Sequence, residues 1–86
     1  MDIVFYPEAW LHYQYWADTD VKMLRRLNKL INDCTRNPFM GIGKPEALRG
    51  NLKGFWSRRI DDEHRLVYTV KDSCLHILQC RFHYDN

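Results

Sequence analysis

The sequence predicts an α+β fold: an N-terminal strand, a helical hairpin, then a three-strand antiparallel meander, with both helices packed on one face of the sheet. Two observations carry most of that prediction. Leu24, Leu27, Ile31 and Cys34 recur at helical spacing, while Lys22, Arg25, Arg26 and Lys29 fall on the opposite side. Further on, the runs 55–60, 65–71 and 75–84 are rich in β-branched and aromatic residues and are separated by the polar turns Asp61-Asp62-Glu63 and Asp72-Ser73.

Taken in order, Ile3-Val4-Phe5 reads as a short strand closed by Tyr6-Pro7. Proline suits the first turn of a helix, and residues 7–17 follow with Trp10, Tyr13 and Ala17 at helical spacing. Asp18-Thr19-Asp20 supplies capping oxygens for the second helix, and Asn37-Pro38 stops it. Segment 38–54 holds Pro38, Pro45 and several glycines, so it is expected to be long and irregular, a kind of loop that often carries function. Glu46 sits within it, in Lys44-Pro45-Glu46-Ala47-Leu48, beside Arg49. In the last strand, alternation groups His76, Leu78, Cys80 and Phe82 on one face and Ile77, Gln79, Arg81 and His83 on the other. In the middle strand, Leu66, Tyr68 and Val70 oppose Arg65, Val67 and Thr69. With the more apolar sets covering the helices, Arg65, Arg81 and His83 share the open face, along with Ser57 and Arg59 of the adjacent strand.

A chain of 86 residues is expected to form one domain, spanning 1–86. At this size roughly 60% of the unfolded surface is buried, so dimerisation or a tight partner would add needed stability. The net charge of +2 conceals a basic stretch comprising Lys44, Arg49, Lys53, Arg58, Arg59 and Arg65, with His64 as a candidate seventh member, which also holds Phe55 and Trp56. Cations interleaved with aromatics suit a phosphate backbone with stackable bases; a solvated strand face is the alternative the sequence leaves open. The three cysteines, Cys34, Cys74 and Cys80, have no metal-ligand spacing and read as small buried hydrophobes of a reducing compartment. The N-terminus lacks the features of a signal peptide, and no apolar run approaches the ~20 residues that span a bilayer, so a cytoplasmic protein without membrane association is expected. A phosphate-cradling glycine motif and a nucleophile elbow are both missing.

Glu46, Arg65 and His83 together suit one reaction. RNA carries its own nucleophile, the 2′-hydroxyl, beside the phosphate to be broken. Cleavage needs a base for that proton, a cation for the charged phosphorane and an acid for the departing 5′-oxygen. Glu46 fits the base, Arg65 the clamp and His83 the acid, and the scheme needs no cofactor. Blander readings stand beside these. Glu46 is also explained as a solvated loop charge or a turn cap, Arg65 as a partner of Asp61 or Glu63, and His83 as a frayed end. Tyr84 packs or stacks on a base, and Trp56 is core or base platform.

Several runs resemble the YoeB toxins of the RelE/ParE superfamily: Lys44-Pro45-Glu46-x-Leu48, Asn51-Leu52-x-Gly54-Phe55-Trp56-Ser57-Arg58-Arg59-Ile60, Glu63-His64-Arg65-Leu66-Val67-Tyr68 and the closing Cys80-Arg81-x-His83-Tyr84. The resemblance spans essentially the whole chain. It implies a ribosome-dependent endoribonuclease that cuts messenger RNA in the decoding site, with Glu46 as general base, His83 as general acid, Arg65 as transition-state clamp and Tyr84 positioning the substrate. Arg59 is implied as a further RNA contact; Lys44, Arg49, Lys53, Arg58 and Arg81 complete the expected RNA- or ribosome-binding set. Arg49 stands where such toxins often have lysine, which keeps the charge but not a mobile proton donor. Asp85-Asn86 extends beyond the tyrosine and adds a negative charge near the expected site. The resemblance also implies a YefM-like antitoxin whose acidic segment folds on binding, a homodimer or toxin–antitoxin complex, and operator DNA bound only through the antitoxin. Two other classes remain to be separated: a ParE-like, non-catalytic inhibitor of DNA gyrase, and an RNA-binding module that does not cut.

Overall fold

The structure is a computed structural model and describes residues 1–84, so the expectation attached to Asp85-Asn86 lies outside the described residues. Strand β1 (Asp2–Phe5) leads into helices α1 (Pro7–Thr19) and α2 (Val21–Arg36). Strands β2 (Glu46–Ala47), β3 (Trp56–Arg59), β4 (Arg65–Lys71) and β5 (Cys74–Gln79) follow, with a single 3₁₀ turn (Gly50–Leu52) between β2 and β3. They form one five-stranded sheet in the order β1-β5-β4-β3-β2. β1 runs parallel to β5, and the other pairs are antiparallel. This is the expected α+β arrangement with one strand more: part of the segment expected to be irregular pairs with β3 and forms β2.

Local chemistry accounts for the junctions. Pro7 opens α1, where its missing N–H costs nothing. The Asp20 carboxylate caps α2 by accepting the Met23 N–H at 3.2 Å. Asp72 and Ser73 both take positive φ (+53° and +60°), the pattern of a two-residue turn whose twist matches a hairpin, and they join β4 to β5.

The core lies between the helices and one sheet face, where Trp16, Leu27, Leu30, Ile31 and Cys34 meet Leu66, Tyr68, Leu75 and Ile77. Each buried leucine or isoleucine contributes roughly 1.5–3 kcal/mol, far more than helix propensity supplies to α2. The α2 stripe lies where its spacing predicts, with Leu30 added, although Arg26 bends back to donate to the Ile60 carbonyl at 3.3 Å. The α1 stripe has a different phase. Ala9, His12 and Trp16 are buried, whereas Trp10 is 47% exposed and Ala17 is exposed. Aromatics occupy several sides of α1, so periodicity leaves its phase open. Polar contacts select it: Trp16 Nε1 donates to the Cys80 carbonyl (2.8 Å), and His12 Nδ1 accepts the Cys80 N–H (3.2 Å).

β5 departs from simple alternation. Tyr68 pairs with Ile77 and Val67 with Gln79, leaving Leu78 as an extra residue, a β-bulge. The bulge reverses the phase, so Leu75 and Ile77 face the core before it and Cys80 faces the core after it. The expectation that His76 and Leu78 share the core face with Cys80 and Phe82 is therefore corrected. The strand also ends at Gln79 rather than running to Tyr84.

Candidate active site

The sheet face away from the helices is built by register. Glu46 lies opposite Ser57, Ser57 opposite Val67, and Val67 opposite Gln79, so these side chains form one row across β2, β3, β4 and β5. With strands about 4.8 Å apart, the row is roughly 14 Å long. Two residues further along, on the same face, Arg59 lies opposite Arg65. Val67 and Leu48 are buried but outside the helix-side cluster, giving this face a small apolar floor.

Glu46 stands on an edge strand, exposed, and among the described residues its carboxylate has no ion-pair partner. The chain before it is tightly placed. The Arg59 N–H donates to the Gly43 carbonyl at 2.7 Å, and Gly43 has φ +81°. A Cβ there would stand 2.7 Å from Leu30 Cδ2 and 3.1 Å from the Arg59 carbonyl oxygen, so glycine suits both the positive φ and the close approach. Lys44 follows, also at positive φ, and with Arg26, Arg59, Asp61 and Asp62 it borders a depression of about 300 Å³. Arg49 and Lys53 are exposed at either side of the 3₁₀ turn.

Arg65 is only 8% exposed. Its Nη1 donates to the carbonyls of Asp61 (2.8 Å), Asp62 (3.2 Å) and His64 (3.2 Å) and makes no salt bridge to Asp61 or Glu63. Among the described residues, Nε and Nη2 make no hydrogen bond, so one edge of the guanidinium holds the turn and the rest is uncommitted.

Residues 80–84 leave the sheet. His83 is exposed, its ring stacked on Tyr84 (centroids 4.7 Å apart, 29°), and its Nδ1 lies 3.2 Å from the Tyr84 carbonyl. A carbonyl only accepts, so in that contact Nδ1 is the donor. The segment is tied to the open face by Gln79, whose Nε2 donates to the Arg81 carbonyl at 3.0 Å and lies 3.5 Å from the carbonyls of Phe82 and His83. The Arg65 N–H donates to the Phe82 carbonyl at 3.0 Å. Register and tether thus bring Glu46, Arg59, Arg65 and the His83 backbone to one face.

Two expected RNA contacts are placed elsewhere. Arg58 is fully buried on the helix side. It pairs with Asp33, donates to the carbonyls of Asn37, Met40 and Ile42, and donates from Nε to the Tyr68 hydroxyl. Alternation sends it inward opposite Leu66, and no donor remains for phosphate. Hydrogen bonding to Arg58 holds the Asp33 carboxyl below the ordinary carboxylate range, while burial pushes the Tyr68 hydroxyl up to about 12. Arg81 stacks between the Tyr15 and Phe82 rings, 3.5 and 4.3 Å from their centroids, against α1 rather than beside Arg65. Trp56 packs against the core and against Phe39. Gln79 and His64 are the residues that sequence reasoning missed. Parity places Gln79 with Arg81 and His83, and that is its one signal; the one signal for His64 is its place in the basic stretch.

Two helices on one face of this five-stranded, mostly antiparallel sheet give the chain the α+β architecture of the RelE-like class. A YoeB/ParE toxin from Agrobacterium tumefaciens superposes with a TM-score of 0.95 at 48% identity, covering 98% of this chain and 100% of that one. YoeB of Staphylococcus aureus, solved as a dimer and in a heterotetrameric YoeB–YefM complex, superposes at 0.90 with 47% identity over 98% of each chain. Toxin YoeB of Escherichia coli K12 is 52% identical over 84 residues, 98% of this chain and all of that protein. The pattern of the YoeB-like toxin of bacterial type II toxin–antitoxin systems matches residues 5–84, and the chain belongs to that family.

Proposed function

We propose that this toxin is a ribosome-dependent endoribonuclease that cleaves messenger RNA in the decoding site and so stops translation. The observation that carries the reading is the shared open face: Glu46 opposite Ser57 and Arg59 opposite Arg65, with the segment Arg81–His83 tethered there by Gln79. Glu46 takes the 2′-hydroxyl proton as the 2′-oxygen bonds to phosphorus. Arg65 and Arg59 meet the charge of the phosphorane. The bond to the 5′-oxygen breaks as His83 delivers a proton to it, leaving a 2′,3′-cyclic phosphate and a 5′-hydroxyl. Tyr84, stacked on His83, orients the substrate; Lys44, Arg49 and Lys53 add sequence-independent phosphate attraction. The family's complexes support a YefM-like antitoxin partner and a homodimer, with operator DNA reached through the antitoxin. Among the described residues no helix is long and apolar enough to cross a membrane, and we place the protein in the cytoplasm with the ribosomes it acts on.

The test is primer extension on ribosome-bound message with wild type, Glu46→Ala and His83→Ala. Each substitution should lower cleavage about 10²–10⁴-fold. Unchanged cleavage in both would remove the acid–base assignment. Intact translation with blocked DNA supercoiling would point instead to gyrase inhibition.

A further inference from the structure

Phe82, immediately before His83, is a non-glycine residue at φ +67°. A side chain persists in that region only where its surroundings over-determine it, and such positions cluster at functional sites. Here the surroundings are explicit. The Phe82 N–H donates to His64 Nδ1 at 2.8 Å, and its carbonyl receives the Arg65 N–H. The His64 ring is itself fixed. Its side chain is 12% exposed and meets Trp16 edge-on (4.9 Å, 78°), and its backbone N–H is held by Asp61 Oδ1 at 2.7 Å. To accept at Nδ1, the neutral ring carries its proton on Nε2, which lies 3.7 Å from the Glu63 carboxylate, a neighbour that favours this tautomer.

We propose that His64 is a positioning residue for the cleavage reaction: its Nδ1 lone pair holds Phe82 in the left-handed conformation and thereby sets the direction of His83 and Tyr84. The inference rests on the ribonuclease reading for its kinetic consequence but not for its geometry. Without this acceptor the Phe82 N–H has no partner, the left-handed turn relaxes, and the two residues beyond it swing with it. A displacement of about 1 Å at a reacting group costs on the order of 10²-fold in rate.

The test compares His64→Asn, His64→Gln and His64→Leu by single-turnover cleavage of ribosome-bound message. Asparagine places an oxygen close to the Nδ1 position, glutamine places one near Nε2, and leucine fills the space without an acceptor. Expected are rates within a few-fold of wild type for asparagine and about 10–10² lower for glutamine and leucine, with half-saturating ribosome concentration unchanged in all. Leucine at the wild-type rate, asparagine as slow as leucine, or a change confined to half-saturation would overturn the assignment. Should the leucine variant fail to fold, asparagine against glutamine gives the same decision. If wild type leaves message uncut, the ribonuclease reading falls, and ¹⁵N NMR of the free toxin judges the positioning alone. A protonated Nε2, an unprotonated Nδ1 and a slowly exchanging Phe82 amide uphold it; Nδ1–H overturns it.

Discussion

Arg58 and Arg59 are covalent neighbours in β3 with opposite surroundings. Arg58 points to the helix side, where five partners (Asp33, three loop carbonyls and the Tyr68 hydroxyl) use up its donors. Arg59 points to the open face, where it is exposed and its side chain has no ion-pair partner among the described residues. The same side chain therefore does two jobs. Inside, it anchors the loop from Asn37 to Ile42 and so braces the approach to Gly43, Lys44 and Glu46. Outside, it presents an exposed charge on the open face. A guanidinium suits both because its fork of donors matches several carbonyls as well as it matches phosphate.

The largest expected effect comes from Arg58→Ala. It leaves the Asp33 carboxylate without its main partner and uncaps three carbonyls, so denaturant unfolding should show a loss of about 3 kcal/mol. A loss below about 1 kcal/mol would mean that water replaces the network. The next effect is pH-dependent. The folded-state pKa of Asp33 is depressed, chiefly by its hydrogen bond from Arg58, so its contribution is fully present above the unfolded value of about 3.9 and is lost as pH falls through the folded one. Asp33→Asn should flatten the loss of stability below about pH 4; an unchanged acid limb would place the acid sensitivity elsewhere. Arg59→Ala should have the smallest structural effect, within about 0.5 kcal/mol in stability. It should instead weaken binding to programmed ribosomes and lower the salt dependence by about one phosphate contact. Equal destabilisation by Arg58→Ala and Arg59→Ala would end the contrast.

A second contrast runs along β5. Up to Ile77 its pairing is regular; beyond Gln79 the chain leaves the sheet and is held by the side chains of Trp16, His12, His64 and Gln79 together with the backbone N–H of Arg65. Strand reading carried regular alternation straight through this point. It therefore assigned Arg81 to the open face, whereas the guanidinium lies between Tyr15 and Phe82. In β3 and β4 the same rule worked, because no bulge interrupts them: Ser57 and Arg59 share the open face with Arg65 and Val67. Glu46 was recognisable by residue type and motif. Its two-residue pairing with β3 was not, because a strand that short has no periodicity to read.

The sequence by itself determined both helices, four of the five strands and their order, the turn at Asp72-Ser73, a cap within Asp18-Thr19-Asp20 and the family. These depend on local propensity, capping chemistry and residue motifs that survive without a partner surface. Tertiary structure alone decided the phase of α1, the pairing of β2, the bulge at Leu78 and the departure of residues 80–84 from the sheet. Each of these is a choice between locally similar alternatives. It is settled by which polar atoms find partners across the fold, as Trp16 and His12 do in the buried contacts to Cys80 and His64 does on Phe82.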